Sequence, residues 1–356
     1  MNRIVAFGEI MGRFVTPGFK RFQQALPGSL NTSFAGAEAN IATSFAYLGG
    51  EAVFVTALPT NPIAEACVAS LRSAGVDTTH IVHTDAGRLG LYFLEQGANQ
   101  RPTNVIYDRE GSSVSITPAD AYDWDTILEG ADWFITSGIT PALSRNAAAV
   151  TKAALEVASR RGVSVAIDMN FRQKLWKWEP PLTARELATK TMKDLLPFAD
   201  LFIGGLEDAV AVLDGVPSKV PHEVAALPHE VAALLAKTFP RLSHVAMTLR
   251  ENVSASHTIL GGFLYETRTG TAFLSPLDGR TYSIQNIVDR IGTGDAFTGA
   301  LLYALTTPGL ASPKSAVEFA TAAACLAHSI EGDQNFTSRT EIEALVQGDA
   351  SGRVQR

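Results

Sequence analysis

The chain has 356 residues, of which 46% are hydrophobic and 18% are charged, and its formal net charge is −7. This composition excludes a disordered chain, and the length is enough to bury a sizeable core in one large domain or two smaller ones. The negative charge argues against a nucleic-acid partner, which needs a basic face to neutralise phosphates. A single nucleotide remains possible, because backbone N–H groups at a helix N-terminus can hold it.

Two further features bear on where such a chain works. It contains no run of about 20 apolar residues, so we expect no membrane helix and no membrane partner. Its first residues, MNRIVAFGEIMG, carry Glu9 where a secretory signal needs an apolar stretch, and we therefore expect a cytoplasmic protein. The two cysteines, Cys67 and Cys325, argue against a disulfide framework.

Apolar, β-rich runs alternate with helical patterns along most of the chain. The first pairs are RIVAFGEI with EANIATSFAYLG, AVFVTAL with PIAEACVASLRSAG, and WFITSG with SRNAAAVTKAALEVASRRG; SVAIDMN, LFIGG and HVAMTL follow. Such alternation is typical of right-handed βαβ units around a parallel sheet that helices cover on both faces. The predicted fold class is therefore α/β, with a central, mostly parallel sheet flanked by helices.

Two insertions, residues 13–35 and 88–117, interrupt this rhythm with strand-like runs separated by turn residues. We expect them to form a small β-sheet over the carboxyl ends of the main strands, where it would act as a lid. Residues 253–288 resemble hairpins, so antiparallel strands are expected at one edge of the main sheet. The predicted division is an α/β nucleotide- and substrate-binding domain of residues 1–12, 36–87 and 118–345, a β lid of residues 13–35 and 88–117, and a C-terminal tail of residues 346–356.

One segment carries the pattern of a phosphoryl-transfer site. Gly292-Thr293-Gly294-Asp295 leads into a helical pattern with apolar residues every four positions, which ends at Pro308-Gly309. Glycines before a helix let N–H groups point at an anion, and the helix dipole favours negative charge there. A carboxylate at Asp295 can accept the proton of an attacking hydroxyl. Taken alone, the motif is explained better by a helix cap.

The wider pattern changes this balance. Asp289, Gly292, Gly294, Asp295 and Phe297 match D-x-x-G-x-G-D-x-F, which resembles the signature of the PfkB (ribokinase-like) carbohydrate kinase family. The family's glycine-rich N-terminal signature is matched by Gly36-Ala37-Glu38-Ala39-Asn40, followed by Leu48-Gly49-Gly50. Because both signatures occur in the right order and at about the right separation, the resemblance spans essentially the whole chain and favours catalysis over a cap.

The resemblance implies a ribokinase-like fold, a lid that often forms a homodimer, and ATP as phosphate donor. It implies Mg²⁺ on the ATP phosphates, which suit this hard cation. It also implies Asp295 as the catalytic base and the backbone of residues 291–294, with Gly292, Thr293 and Gly294, as the anion hole.

The acceptor is predicted from residues that follow the strand SVAIDMN. Asp168, Asn170 and Arg172 should lie at its carboxyl end, where α/β folds place ligands. The run D-x-N-x-R also occurs in the family, and in members that phosphorylate sugar acids the arginine faces the substrate carboxylate. A guanidinium pairs bidentately with a carboxylate, and a neutral hexose offers no such contact. The alternative for Arg172 is an exposed salt bridge.

The lid insertions resemble those of 2-keto-3-deoxygluconate kinases, in which a tyrosine and a Tyr-x-Arg segment close over the acid. Alternation places Tyr107 and Arg109 on one strand face, and Tyr92 lies on the other insertion. Packing within the lid explains either tyrosine equally well. The predicted substrate-binding residues are Gly36, Ala37, Asn40, Tyr92, Tyr107, Arg109, Arg172 and Asp295.

The C-terminal segments of residues 324–335 and 348–356 are similar to one bacterial subgroup of such kinases, in which the adenine lies nearby. A lone His328 on an apolar helix is more often a packed residue than a contact. The predicted nucleotide-binding residues are Asn170, Thr248, Arg250, Gly292, Gly294, His328, Gly332 and Asn335.

The chain departs from the family pattern at two places. The usual Asn-x-x-Glu reads Gly204-Gly205-Leu206-Glu207, which leaves Glu207 as a metal residue acting through water. The usual Thr-x-Gly reads Thr248-Leu249-Arg250, which puts an arginine where glycine lets the backbone approach phosphate, so Arg250 is a candidate phosphate contact.

The predicted function is ATP-dependent phosphorylation of 2-keto-3-deoxygluconate at its terminal hydroxyl. The nearest alternative is a kinase for a neutral ketohexose such as fructose, and the pair Arg109 and Arg172 discriminates between them. A dehydrogenase is disfavoured because residues 8–12, GEIMG, lack the G-x-G-x-x-G turn. A non-catalytic sugar-acid-binding protein of the same fold is favoured by the two departures, whereas the intact 292–295 motif argues against it.

Overall fold

The computed structural model describes residues 2–213, 227–276 and 281–350, so the last six residues of the predicted tail, 351–356, lie outside the described residues. The strands are β1 (Arg3–Phe7), β2 (Met11–Val15), β3 (Asn31–Ala35), β4 (Glu51–Val55), β5 (Ala57–Pro59), β6 (Val82–Thr84), β7 (Gly90–Glu95), β8 (Asn104–Asp108), β9 (Trp133–Ser137), β10 (Ser164–Asp168), β11 (Leu201–Gly205), β12 (His244–Ser254), β13 (His257–Glu266), β14 (Thr271–Ser275) and β15 (Tyr282–Gln285). The helices are α1 (Phe22–Ala25), α2 (Ala37–Tyr47), α3 (Pro62–Ser73), α4 (Ser113–Ile116), α5 (Trp124–Ile127), α6 (Ile139–Ala142), α7 (Arg145–Arg161), α8 (Ala184–Leu195), α9 (Leu206–Ala211), α10 (Leu227–Thr238), α11 (Thr293–Thr306), α12 (Pro313–Ala327) and α13 (Arg339–Val346).

Nine of the described strands form one large sheet, in the order β14-β13-β12-β11-β10-β9-β1-β4, with β15 also paired to β13. The strands from β4 to β12 in this order run parallel, whereas β13, β14 and β15 join by antiparallel pairing. This arrangement confirms both the mostly parallel sheet and the antiparallel edge that the sequence predicted. Parallel strands place their carboxyl ends along one edge, where ligands bind in such folds.

Two apolar layers cover the large sheet, one on each face. Along β1, Ile4 and Ala6 pack into the core beneath α2, α3, α11, α12 and α13, whereas Val5 and Phe7 pack into the core beneath α7, α8, α9 and α10. Successive strand residues point to opposite faces, so a strand buried on both sides needs an uninterrupted apolar run. No helix among the described residues is long and apolar enough to cross a membrane.

A four-stranded sheet in the order β3-β2-β7-β8, hereafter the lid, is built from the two predicted insertions. Its register brings Arg13, Tyr92 and Tyr107 side by side on one face, because Arg13 pairs with Tyr92 and Tyr92 with Tyr107. Phe14 and Phe93 stack on the opposite face, with ring centroids 5.2 Å apart. The lid therefore has a polar inner face and an aromatic outer face.

The insertions differ from the prediction in detail. The sequence predicted strand-like structure as far as Ile116, which is wrong, because Ser113–Ile116 forms the short helix α4. The first insertion likewise contains the one-turn helix α1. Four of the α4 region's residues, Ser112, Ser113, Val114 and Ser115, are buried against the main domain, so tertiary packing overrides the β-branched composition there.

Candidate active site

A cavity of about 450 Å³ lies between the carboxyl ends of the main strands and the inner face of the lid. This size is typical of a site for a small molecule. Most of the predicted site residues line it, namely Gly36, Ala37, Asn40, Tyr92, Tyr107, Arg109, Asn170, Arg172, Thr248, Arg250, Gly292, Thr293, Gly294 and Asp295. The fold therefore brings together residues that lie as much as 259 positions apart, from Gly36 to Asp295.

The loop of residues 289–294, hereafter the anion loop, ends at the N-terminus of α11. Gly292 has φ 81°, and a Cβ there would lie 1.9 Å from the carbonyl oxygen of Asp333, so only glycine fits. A Cβ on Gly294 would meet nothing within 4 Å. Since α11 has no side-chain cap, the N–H groups of its first turn have room for an anion above them.

Asp295 lies in the first turn of α11 and is 7% exposed. Its Oδ2 accepts a hydrogen bond from Nδ2 of Asn40 at 2.7 Å. Burial raises the pKa of Asp295 to about 7; the charge of Asp333 acts in the same direction, whereas the hydrogen bond from Asn40 and the charge of Arg172 oppose it. A carboxyl group with this pKa is divided between its two forms near neutral pH, as a general base requires.

Two further carboxylates line the same wall of the cavity. Asp168 is buried at the end of β10, and burial, with the charges of Asp295 and Asp208, raises its pKa well above the usual value. Asp208 accepts hydrogen bonds from the N–H groups of Gly205 at 2.8 Å and Phe171 at 3.0 Å, and burial raises its pKa as well. Asp208 was not among the predicted site residues. Its position three residues after the glycine that caps α9 was the available signal.

Arg250 lies close to two further arginines, Arg172 and, in the anion loop, Arg290. Nη2 of Arg250 donates to Oγ1 of Thr293 at 3.1 Å, and Arg290 donates to the carbonyl oxygens of Ser254 and Ala255. Loss of water lowers the pKa of Arg250, and the neighbouring guanidiniums of Arg290 and Arg172 lower it further. Crowded positive charge of this kind favours the binding of an anion.

The lid residues reach the cavity from above. Tyr107 is 41% exposed, and the guanidinium carbon of Arg109 lies 5.5 Å from its ring centroid. Arg109 is 8% exposed and forms an ion pair with Glu9, which is 3% exposed. Glu9 was not among the predicted site residues. Tyr92 is buried, and its hydroxyl donates to Oδ2 of Asp333 at 2.5 Å.

Four predicted residues, Glu207, His328, Gly332 and Asn335, do not line the cavity. The N–H group of Gly332 donates to Oδ2 of Asp289 at 3.3 Å. Glu207 is exposed, whereas its neighbour Asp208 lines the wall. His328 is 1% exposed, with Nδ1 at 2.7 Å from the carbonyl oxygen of Ala324, and burial lowers its pKa to about 4. Asn335 is 2% exposed and donates to Oγ of Ser44 at 3.1 Å. In this structure both side chains are occupied within the packed interior.

The residues present suit a nucleotide with its magnesium ion. No cluster of three or more His, Cys, Asp or Glu with metal-binding geometry occurs among the residues that the structure describes. Mg²⁺ in phosphoryl-transfer sites is held chiefly by the substrate phosphates and water, with one or two protein carboxylates. Asp208 and Asp168 on the cavity wall can supply these, and the uncapped turn of α11 can supply donors for phosphate.

Comparison with known proteins gives a consistent result. The model of the pfkB family of carbohydrate kinases matches residues 1–248 and 268–340. The chain is 33% identical to the 2-dehydro-3-deoxygalactonokinase of Haloferax volcanii over 98% of both chains. It is 27% identical to fructokinase-2 of Solanum lycopersicum, covering 84% of this chain and 80% of that one.

Solved structures agree with the sequence matches. The crystal structure of the 2-dehydro-3-deoxygluconokinase of Thermotoga maritima superposes with a TM-score of 0.88 at 38% identity, covering 98% of this chain and all of the other. These findings confirm the resemblance that the two signature motifs indicated, and they confirm the predicted fold with its small second sheet.

Proposed function

Since this chain belongs to the PfkB family of carbohydrate kinases, and is therefore a sugar kinase, we propose that it transfers the γ-phosphate of ATP to the terminal hydroxyl of 2-keto-3-deoxygluconate or of a closely related 2-keto-3-deoxy sugar acid. The observation that carries the proposal is the joint presence in one cavity of Asp295, the uncapped first turn of α11 and Arg172. A base, an anion site and a carboxylate receptor are the three parts that this reaction needs.

Asp295 acts as the general base. Its carboxylate takes the proton of the sugar hydroxyl as that oxygen forms a bond to the γ-phosphorus, and the bond from phosphorus to the departing ADP oxygen breaks. The hydrogen bond from Asn40 fixes the carboxylate on the side of the cavity where the sugar enters under the lid. The raised pKa gives Asp295 the basicity that an ordinary aspartate lacks.

The anion loop and Arg250 stabilise the charge of the transferred group. N–H groups at the start of α11, with the helix dipole, face the phosphoryl oxygens. Arg250 lies beside Thr293 and adds a full positive charge on the same side. Mg²⁺ would supply further charge neutralisation when it is bound with ATP, and we assign Asp208 rather than Glu207 as the carboxylate that would hold it.

Specificity for an acid rests on Arg172, with Tyr107 and Arg109 above it. Arg172 forms no ion pair within the part of the chain that the structure describes, so its guanidinium is available to the substrate carboxylate. The charge of Arg109 is balanced by Glu9. We therefore assign Arg172 as the principal carboxylate contact and Arg109 as a partner that shares its donors between Glu9 and the substrate.

A neutral ketohexose is the second candidate substrate. The observation in its favour is the pairing of Arg109 with Glu9, which leaves Arg172 as the one of the two predicted carboxylate contacts that has no ion-pair partner among the described residues. The sequence likeness to a plant fructokinase supports the same alternative. A non-catalytic binding protein is disfavoured, because Asp295 and the open space above Gly294 face the same cavity.

A kinase assay across 2-keto-3-deoxygluconate, 2-keto-3-deoxygalactonate, fructose and ribose tests the proposal. We expect kcat/KM for at least one keto-deoxy acid to exceed that for fructose by about 10²-fold or more, because a neutral sugar leaves Arg172 unpaired. Equal kcat/KM values for the acids and for fructose would reject the sugar-acid assignment but would still support kinase activity.

The outer face of the lid supports a homodimer. Phe14 and Phe93 stack on this face, and Ile106 beside them is 49% exposed. A second copy of the lid would bury this surface. Replacing Ile106 with Asp is expected to give a monomer in sedimentation analysis, whereas an unchanged oligomeric state would reject the lid as the interface.

A further inference from the structure

One buried cation connects the lid to the rest of the molecule. Arg13 lies on β2 and is 4% exposed. Its Nη2 donates to Oδ2 of Asp289 at 2.5 Å, and its Nε lies 2.7 Å from Oδ1 of Asp333. The hydroxyl of Tyr92 on β7 donates to the other oxygen of Asp333. Four buried side chains, two from the lid and two from the main domain, thus form one network.

The two carboxylates of this network also shape the anion loop. Oδ1 of Asp289 accepts hydrogen bonds from the backbone N–H groups of Arg290 at 2.8 Å and Ile291 at 3.2 Å. This side chain therefore fixes the start of the loop. The carbonyl oxygen of Asp333 occupies the place that a Cβ on Gly292 would take. Any displacement of either aspartate therefore moves the backbone that leads to the N–H donors of α11.

The ion pairs are strongly interdependent because they are buried. Although burial acts to lower it, the pKa of Arg13 is raised, chiefly by the charges of Asp333, Tyr92 and Asp289. Burial raises the pKa of Asp333 to about 6, and the charge of Arg13 opposes this. Removing one member of a buried charge network leaves the others uncompensated, which costs far more than breaking an exposed pair.

The same sheet supplies a contrasting ion pair. Arg88 lies just before β7 and Asp108 at the end of β8. Their side chains are 39% and 53% exposed, and Nη2 of Arg88 lies 2.9 Å from Oδ1 of Asp108. Water screens such a pair, and it contributes little to the position of anything else. The insertions that build the lid thus supply a buried arginine that is joined to the anion loop, Arg13, and an exposed arginine that is not, Arg88.

We propose that Arg13 is a positioning residue that couples the lid to the anion loop, so that carbohydrate binding beneath the lid and nucleotide binding at the loop strengthen each other. Arg13 does not itself line the cavity. It acts through Tyr92, whose ring faces the carbohydrate side, and through Asp289, which holds the loop. The inference rests on the proposed function only in that a carbohydrate binds under the lid.

The test measures binding, with no turnover, on the full chain. The dissociation constant of the magnesium complex of AMP-PNP, a non-hydrolysable ATP analogue, is measured by calorimetry with and without a saturating carbohydrate, chosen as whichever one the unaltered enzyme phosphorylates. We expect the carbohydrate to tighten analogue binding about tenfold in the unaltered enzyme, within the usual range of coupling between sites. In R13Q this ratio is expected to approach one, while each ligand alone binds within about threefold of its normal value. R88Q, the matched control, is expected to keep the full ratio.

Turnover gives a second readout. R13Q is expected to lower kcat by about 10²-fold with a much smaller change in KM, because a misplaced anion loop weakens the transition state more than the ground state. R13K keeps the charge and reaches only one carboxylate, so partial coupling is expected. If R13Q does not fold, R13K and Y92F decide the matter, and both should show a coupling ratio clearly below that of the unaltered enzyme.

Several outcomes would overturn the inference. It is wrong if the unaltered enzyme shows no coupling, if R13Q, or failing that R13K and Y92F, retains the full ratio, or if R88Q loses as much coupling as the Arg13 variants. Failure of the sugar-acid proposal is a separate result. It appears in the substrate panel of the unaltered enzyme, and the coupling experiment then proceeds with the neutral sugar that the enzyme accepts.

Discussion

The wall of the cavity and the lid above it differ in whether their buried ionisable side chains have ion-pair partners. On the wall, Asp168, Asp208 and Asp295 are close together without an ion-pair partner among the described residues, and the pKa of each is raised by burial. In the lid, the buried arginines Arg13 and Arg109 both have carboxylate partners.

This difference distinguishes residues that hold the structure in place from residues that can take part in the reaction. A buried charge with a partner has its interactions satisfied by the protein and serves to hold geometry. A buried carboxyl with none is destabilised when ionised, so it gains most when a ligand supplies the missing partner or a proton moves. On this basis we assign proton transfer and cation binding to the wall, and coupling to the lid. The following predictions test this distinction.

The largest effect is expected for the base itself. Asp295→Asn keeps the size of the side chain and removes its basicity, so kcat should fall by about 10² to 10⁴-fold with little change in ATP binding. Steady-state kinetics with an independent measurement of ATP affinity checks this. Asp120→Asn, at an exposed position, is the control. Normal turnover in Asp295→Asn would return Asp295 to the role of a helix cap.

The next effect concerns the carboxylate receptor. Arg172→Met should lower kcat/KM for the keto-deoxy acid by about 10²-fold, because a charge-assisted bidentate contact is lost, and should leave activity with fructose nearly unchanged. Lys174→Met removes an exposed positive charge from the same loop and serves as the control. A similar loss with both substrates would mean that Arg172 supports the loop or the nucleotide instead.

The pH profile provides an intermediate test. The proposed mechanism needs the ionised form of Asp295, whose pKa burial raises to about 7. The value of kcat/KM should therefore be level at alkaline pH and fall about tenfold for each pH unit below 7. Assays in overlapping buffers, with stability checked by preincubation, give the curve. A level profile from pH 5 to 8 would contradict the assignment.

The smallest effect concerns stability. The pKa of Asp295 is higher in the folded state than in the unfolded state, so the stabilising contribution of its protonated form is present below about pH 4 and is lost as the pH rises through about 7. The loss is at most about 4 kcal/mol. Asp295→Asn should accordingly raise Tm by a few degrees at pH 8, with a gain that shrinks toward pH 4. Calorimetry at both pH values tests this. If Asp295→Asn has the same Tm as the unaltered protein at pH 8, or a lower one, then the ionised Asp295 does not destabilise the fold.

Much of the fold and part of the site could be predicted from local sequence. The helix α11 and its glycine-rich start were visible, because an apolar period of four residues and two glycines before an aspartate are local features. The two insertions could be recognised as a sheet for the same reason. The α4 segment was mispredicted, because burial of Val114 against the main domain decided its conformation.

The partners of individual charges could not be predicted in this way. Nothing near Arg13 in the sequence indicates Asp289, which lies 276 positions away, or Asp333 beyond it. Likewise, nothing in the sequence around Glu9 indicates that it forms an ion pair with Arg109 of the lid. Similarly, the choice between Glu207 and Asp208 depends on which residue of α9 turns toward the cavity.

The sequence by itself determined the order of strands and helices and the family signatures, because periodicity and short motifs act over a few neighbouring residues. Tertiary structure alone decided which carboxylates stay unpaired, which arginines are held by partners, and that His328 and Asn335 are packed away from the cavity. The physical reason is that pKa values and ion pairs depend on distance and burial in space, and these quantities exist only after distant segments have been brought together.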